Sequence, residues 1–163
     1  MGLYTPQVAD IKHTLEHVAG LPELIGQGVF PDLGMDTVEA VLAEAGRFAA
    51  EVLAPLNREG DRHGCRLDTA THAVTTAPGW KEAYAKWVEA GWGSLPCPPE
   101  FGGQGLPTLV SLAVQELWNT ASSAYGIGTL LTQGAVEALA VHGSDALKEV
   151  YLPRMVSGER TGT

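Results

Sequence analysis

The sequence predicts an all-α protein, an orthogonal bundle of about six helices. Three observations predict it. Apolar residues return at intervals of three and four along each long stretch, the spacing that gathers them on one side of a helix. Glycine and proline stand at the ends of these stretches, where they stop helices. No stretch shows convincing strand alternation, and there is neither an internal repeat nor a low-complexity tract. At 163 residues the chain corresponds to one domain and is long enough to bury a core.

Thr5-Pro6 opens the first helix, a capping residue before a proline at the first helical position. Val8, Ile11, Leu15 and Val18 share its face, and Gly20 ends it. Leu21 to Ile25 adds a turn. Residues 26–34 are irregular, with Phe30 and Leu33 as apolar anchors. Asp36 and Glu39 have capping-box spacing. The helix behind them carries Val38, Val41, Leu42, Ala45, Phe48, Ala49 and Val52. Pro55 ends or kinks it, because proline lacks the ladder's N–H.

Residues 57–77 are polar and read as a long loop, with a short extended piece near 73–76. Pro78 begins another helix, with Trp80, Tyr84, Trp87 and Val88 on a common face and Gly91 as its stop. Aromatic residues at that spacing read as core before binding site. Between Pro96 and Pro107, four prolines and three glycines shape a loop rather than a helix. Leu109, Leu112, Ala113 and Leu117 mark the next helix. Ile127, Leu130, Leu131, Val136 and Leu139 mark another, with Gly143 as its C-cap. Ser144 caps a last helix with Leu147, Val150 and Tyr151.

Apolar content of 45% against 18% charged residues is that of a globular chain. A net charge of −9 argues against nucleic acid and against an anionic membrane surface, both of which call for a basic face. Its plain consequence is solubility. Cys65 and Cys97 form no C-x-x-C pair. No basic leader with an apolar core is visible, and no run approaches the roughly 20 apolar residues of a membrane span. The expectation is a cytoplasmic protein with reduced thiols.

Few motifs point to chemistry. His13-Thr14-Leu15-Glu16-His17 matches an inverted zinc-peptidase pattern. A helix places its two histidines one turn apart, but the apolar face leaves both in solvent and no third ligand is recognisable, so no metal is expected. Gly102-Gly103-Gln104-Gly105 lacks dinucleotide-fingerprint spacing, and there is neither a P-loop nor a G-x-S-x-G elbow. His63 and Cys65 are too close in sequence to converge as base and nucleophile. Glu116 reads as a structural carboxylate. His142 reads as a charge placed at a helix C-terminus.

One stretch carries more. From Gly91 the chain reads Gly-Trp, then Pro98-Pro99-Glu100-Phe101-Gly102-Gly103-Gln104-Gly105-Leu106-Pro107, a helix with Glu116, His142-Gly143-Ser144, Lys148, Tyr151-Leu152-Pro153 and Ser157-Gly158-Glu159. In order and spacing this resembles the acyl-CoA dehydrogenases over about seventy residues. Ala54-Pro55-Leu56-Asn57, Gly60-Asp61-Arg62 and Gly64-Cys65-Arg66 upstream, and Thr132-Gln133-Gly134-Ala135 within the stretch, are similar to the 3-methylmercaptopropionyl-CoA dehydrogenase-like branch.

The resemblance implies that residues 35–163 are the family's N-terminal helical domain, with residues 1–34 as a helical extension. In the family a β-domain starts where this chain stops, so an N-terminal fragment, inactive alone, is expected. The family oxidises acyl-CoA thioesters at the α and β carbons. A glutamate of the C-terminal helical domain is its usual base and FAD takes the hydride, so Glu116 is not that base and no flavin contact is expected here.

Further expectations are a homo-oligomer and electron-transfer flavoprotein as partner. Tyr125, Thr129, Leu130 and Gln133 are the expected substrate-pocket residues, and Tyr125, Thr129 and Gln133 share a helix face. An arginine common in the family after Glu116 is absent here; Trp118 and Asn119 occupy that region. The alternative is a stand-alone helical interaction or dimerisation module. A domain of a larger enzyme is expected to expose a contiguous apolar patch including part of the helix 124–140.

Overall fold

The computed structural model describes residues 4–162. Met1 to Leu3 and Thr163, the outer ends of the two expected segments, lie outside the described residues. Among those described there are eight α-helices: α1 (Val8–His17), α2 (Leu21–Gly26), α3 (Met35–Phe48), α4 (Ala54–His63), α5 (Trp80–Glu89), α6 (Thr108–Ala121), α7 (Ser123–His142) and α8 (Asp145–Val156). A π-helical segment, Ala49–Leu53, joins α3 to α4. One hairpin, β1 (Arg66–Leu67) with β2 (Val74–Thr75), pairs antiparallel, Leu67 opposite Val74. The protein is all-α, as the periodicity predicts. Two helices come in addition to the six expected: α2, which the sequence marks only as a turn, and α4.

The main core is built where the pattern places it. Val38, Leu42, Ala45 and Ala49 of the α3 stripe are buried together with Ile11, Leu15, Leu21, Leu53, Val110, Val114 and Leu117. Each leucine removed this fully from water contributes about 1.5–3 kcal/mol. Phe48, Trp92 and Trp118 meet in a cluster of edge-on and tilted rings, with Trp92 and Trp118 centroids 5.2 Å apart. A second, smaller core joins α7, α8 and the proline-rich loop through Cys97, Val136, Leu152, Met155 and Val156.

Several local expectations are corrected. Helix α1 starts at Val8 with Gln7 before it, not at Thr5-Pro6. Pro6 instead packs over Gly46, where even a Cβ would stand 3.3 Å from its ring. Val18 lies outside the apolar face, 76% exposed. The capping box does not form: Gly34 is the N-cap of α3, and Glu39 pairs with Lys12 at 2.7 Å.

Pro55 does not stop the chain. The helix widens into the π segment ahead of it, which absorbs the missing N–H, and resumes as α4. Residues 57–63, read as loop, are therefore helical. The extended piece near 73–76 exists as β2, but with a partner strand that the sequence hides because Leu67 and Val74 are both exposed.

Gly143 caps α7 in an extended conformation rather than a left-handed one. Leu112, Ile127, Leu130 and Leu131 face outward, as do Leu147, Val150 and Tyr151 of α8. Leu152, Met155 and Val156 turn inward instead.

Candidate functional site

Helix α7 organises the site, with openings on two sides of it. On one side, the hairpin and the start of α5 leave a cleft of about 520 Å³, lined by Val74, Trp80, Lys81, Tyr84, Tyr125 and Thr129 among others. On the other, α6 and α7 leave a groove of about 580 Å³ that includes Leu112, Gln115, Leu130, Leu131, Gln133 and Val141.

Tyr125 is buried, 4% exposed, with its ring 5.9 Å from that of Trp80. Its hydroxyl has no hydrogen-bond partner among the described residues. Burial pushes its phenol pKa up, and the neighbouring Tyr84 adds to the rise. Tyr84 stacks on Trp87 at 5.7 Å and donates its hydroxyl to the Gly158 carbonyl at 2.9 Å, so the wall it forms is fixed at both ends. Thr129 turns its hydroxyl to the Gly126 carbonyl at 3.0 Å. It therefore presents its methyl side to neighbours. Gln133 accepts a hydrogen bond from Gln115 across the α6–α7 interface.

The four expected substrate residues thus do not share one opening. Tyr125 and Thr129 line the aromatic cleft; Leu130 and Gln133 line the groove. Thr129 and Gln133 meet only at a narrow crevice of about 10 Å³ between them. Trp80, Tyr84 and Lys81 complete the cleft lining, beyond the residues that the sequence points to. The aromatic pair carries a signal in the sequence, but at helical spacing that signal also fits a core position. Lys81 is the one charged residue on the cleft lining among the described residues.

The remaining motifs stay apart from this region. His13 and His17 lie with ring centroids 4.7 Å apart. No group of three possible metal ligands occurs among the described residues. His63 turns back on its own helix, Nδ1 3.1 Å from the Glu59 carbonyl, and away from any role with Cys65. Cys97 is buried, which pushes its thiol pKa up. Glu116 lines a shallow cleft between α1 and α6.

The family described as acyl-CoA dehydrogenase, N-terminal domain, matches residues 35–159. The chain belongs to the acyl-CoA dehydrogenase family. Among family relatives, 3-methylmercaptopropionyl-CoA dehydrogenase of Ruegeria pomeroyi is 39% identical over 98% of this chain and 27% of its own length. A butyryl-CoA dehydrogenase of Syntrophomonas wolfei is 31% identical over 98% of this chain and 26% of its own. A broad-specificity linear acyl-CoA dehydrogenase of Mycobacterium tuberculosis is 33% identical over 71% of this chain and 19% of its own. The chain spans about a quarter of the length of the first two of these relatives.

The family implies FAD. A flavin dinucleotide needs cations or clustered N–H donors for its pyrophosphate. The aromatic cleft offers only Lys81. Among the described residues the groove offers no cation, and Glu137 lies on its lining. Neither opening fits the group, and no step is assigned through it. No helix among the described residues is long and apolar enough to cross a membrane.

Proposed function

We propose that this chain serves the α,β-dehydrogenation of an acyl-CoA thioester by forming part of the acyl-pocket wall, with no catalytic group of its own. One observation carries the reading: in a chain of this family, α7 presents a cleft walled by Trp80, Tyr84 and Tyr125, the surface an apolar chain would lie against. Tyr125 and Thr129 bound the acyl chain and exclude water. Leu130 and Gln133 hold the opposite side of α7 against whatever covers the groove.

Residues 35–163 act as the helical domain and residues 1–34 as its extension. The base, the FAD contacts and most thioester contacts come from the family's β- and C-terminal domains. A homo-oligomer in the cytoplasm, passing electrons to electron-transfer flavoprotein, completes the reading. The 3-methylmercaptopropionyl chain named for the Ruegeria relative is one candidate acyl group.

The test is a chimera. The matching segment of the Ruegeria enzyme is replaced by this chain, and flavin absorbance and acyl-CoA oxidation are measured. The chimera is expected to show both, and the isolated chain neither. Acyl-CoA turnover by the isolated chain would overturn the reading. So would a folded, flavin-loaded chimera that accepts no acyl-CoA. The exposed leucines of the groove favour a second reading, a helical interaction or dimerisation module, and that second outcome would support it.

A further inference from the structure

We propose that Trp80 sets the longest acyl chain this site accepts, standing as a partition between two clefts. The inference rests on the acyl-pocket reading above and adds a residue that limits specificity.

The aromatic cleft of about 520 Å³ ends at the Trp80 indole. On the other side of that indole, between α4 and the starts of α5 and α7, lies a second cleft of about 360 Å³, whose lining includes Asn57, Gly60, Asp61 and Cys65. Trp80 and Ala124 are the two residues common to both linings. The alanine contributes a single methyl group, so the indole is what separates the two spaces.

The ring is held in that position from both sides. Tyr125 packs against it with centroids 5.9 Å apart. Behind it α4 comes so close that a Cβ on Gly60 would stand 3.1 Å from the indole. Its Nε1 is buried without a hydrogen-bond partner among the described residues, so packing rather than hydrogen bonding fixes the ring. A glycine at position 60 is what lets α4 approach this closely.

The two spaces are alike in being mainly apolar. The near cleft is aromatic and aliphatic, with Lys81 as its one charge. The far cleft adds Asp61, Asn57 and Cys65 to Ala77 and Ala124, and most of its surface is apolar as well. A straight acyl chain entering the near cleft gains from every methylene it buries until its end meets the indole. Further methylenes are then stopped by the ring itself, short of the apolar space behind it. Removing the indole joins the two volumes and moves that limit outward.

The experiment titrates the protein, purified from its complete reading frame, with saturated straight-chain acyl-CoA thioesters from butyryl to palmitoyl. Affinity is read by calorimetry. In the wild type, affinity is expected to climb by up to about fourfold per methylene, the value for full burial of a CH₂ group, and then to stop climbing. In Trp80→Ala the climb is expected to continue to longer chains. Trp80→Leu, which keeps an apolar contact with α4, shifts the break in the same direction and carries the comparison if the alanine variant loses its helical circular dichroism. A wild-type profile that climbs unbroken to palmitoyl overturns the partition alone, as does a break at the same length in the variants. Absence of binding at every chain length overturns the acyl-pocket reading and the partition with it.

Discussion

Tyr125 carries a buried hydroxyl without a partner among the described residues, and leaving such a group unsatisfied costs about 1–3 kcal/mol. Its phenol and that of Tyr84 are both pushed up by burial. In the unfolded chain a tyrosine ionises near pH 10. The folded pKa values are the higher ones, so the unfolded state loses its protons first. Stability is therefore undiminished below about pH 10 and falls as pH rises beyond it. Tyr125→Phe is expected to match or exceed the wild type in thermal midpoint at neutral pH and to lose less stability above pH 10. Melting curves across that range check this, and an unchanged alkaline slope would count against it.

At this scale helical spacing sets Tyr125 on one face with Thr129, and both line the aromatic cleft; its part in a substrate pocket is what the family resemblance implies. Trp80 was not legible as a wall, because an aromatic residue at core spacing and one walling a cleft leave the same trace in sequence. Here the residue does both. It packs against the main core and borders two open spaces.

Among the elements, the proline-rich loop is held by its backbone. Gln104 N–H donates to Ser94, Gly105 N–H to Cys97 and Leu106 N–H to Leu95, all within 3.0 Å. The Gln104 side chain adds bonds to the Gly91 carbonyl and the Ser94 hydroxyl, each at 3.0 Å. Gly103 sits so tightly that a Cβ there would overlap the Cys97 carbonyl. That obstacle is backbone and cannot step aside without breaking these bonds. Gly103→Ala is expected to cost about 1–3 kcal/mol, the usual range for overpacking. Chemical denaturation should show a lower midpoint; an unchanged midpoint would mean that the loop adapts.

Helices α1, α3, α5 and α6 were legible because their apolar stripes meet the main core directly. Helix α4 and the hairpin were not. Their one buried apolar position, Leu56, is too little for a periodic signal. The inward residues of α8 escaped for a related reason. Its outward positions are apolar as well, and periodicity cannot say which of two greasy faces finds a partner.

The same ambiguity marks the whole molecule. Leu112, Leu130, Leu131 and Val141 border one groove while 47–65% exposed. Leu130 and Leu131 lie on the 124–140 helix, the stretch from which an exposed apolar patch is expected. Replacing Leu130 with Glu and Leu131 with Lys is expected to leave the melting temperature within about 1–2 °C, because surface changes fall within about 0.5 kcal/mol. Concentration-dependent association in sedimentation velocity should weaken. A large drop in melting temperature would show that the leucines serve this chain's own core.

The fold class followed from spacing alone, while the arrangement of faces depended on contacts that no local pattern encodes. The wide turn at Ala49–Leu53 sets one such relation. A π segment holds about one residue more than an α-helix would need over the same rise, and one residue is about 100° of rotation. That extra residue is a phase setting between α3, locked in the core, and α4, whose Gly60 backs the Trp80 ring. Deleting one residue from the turn would rotate α4 against α3 and point Gly60 elsewhere, so the end wall of a cleft is tuned by a rotation that begins two turns upstream of it.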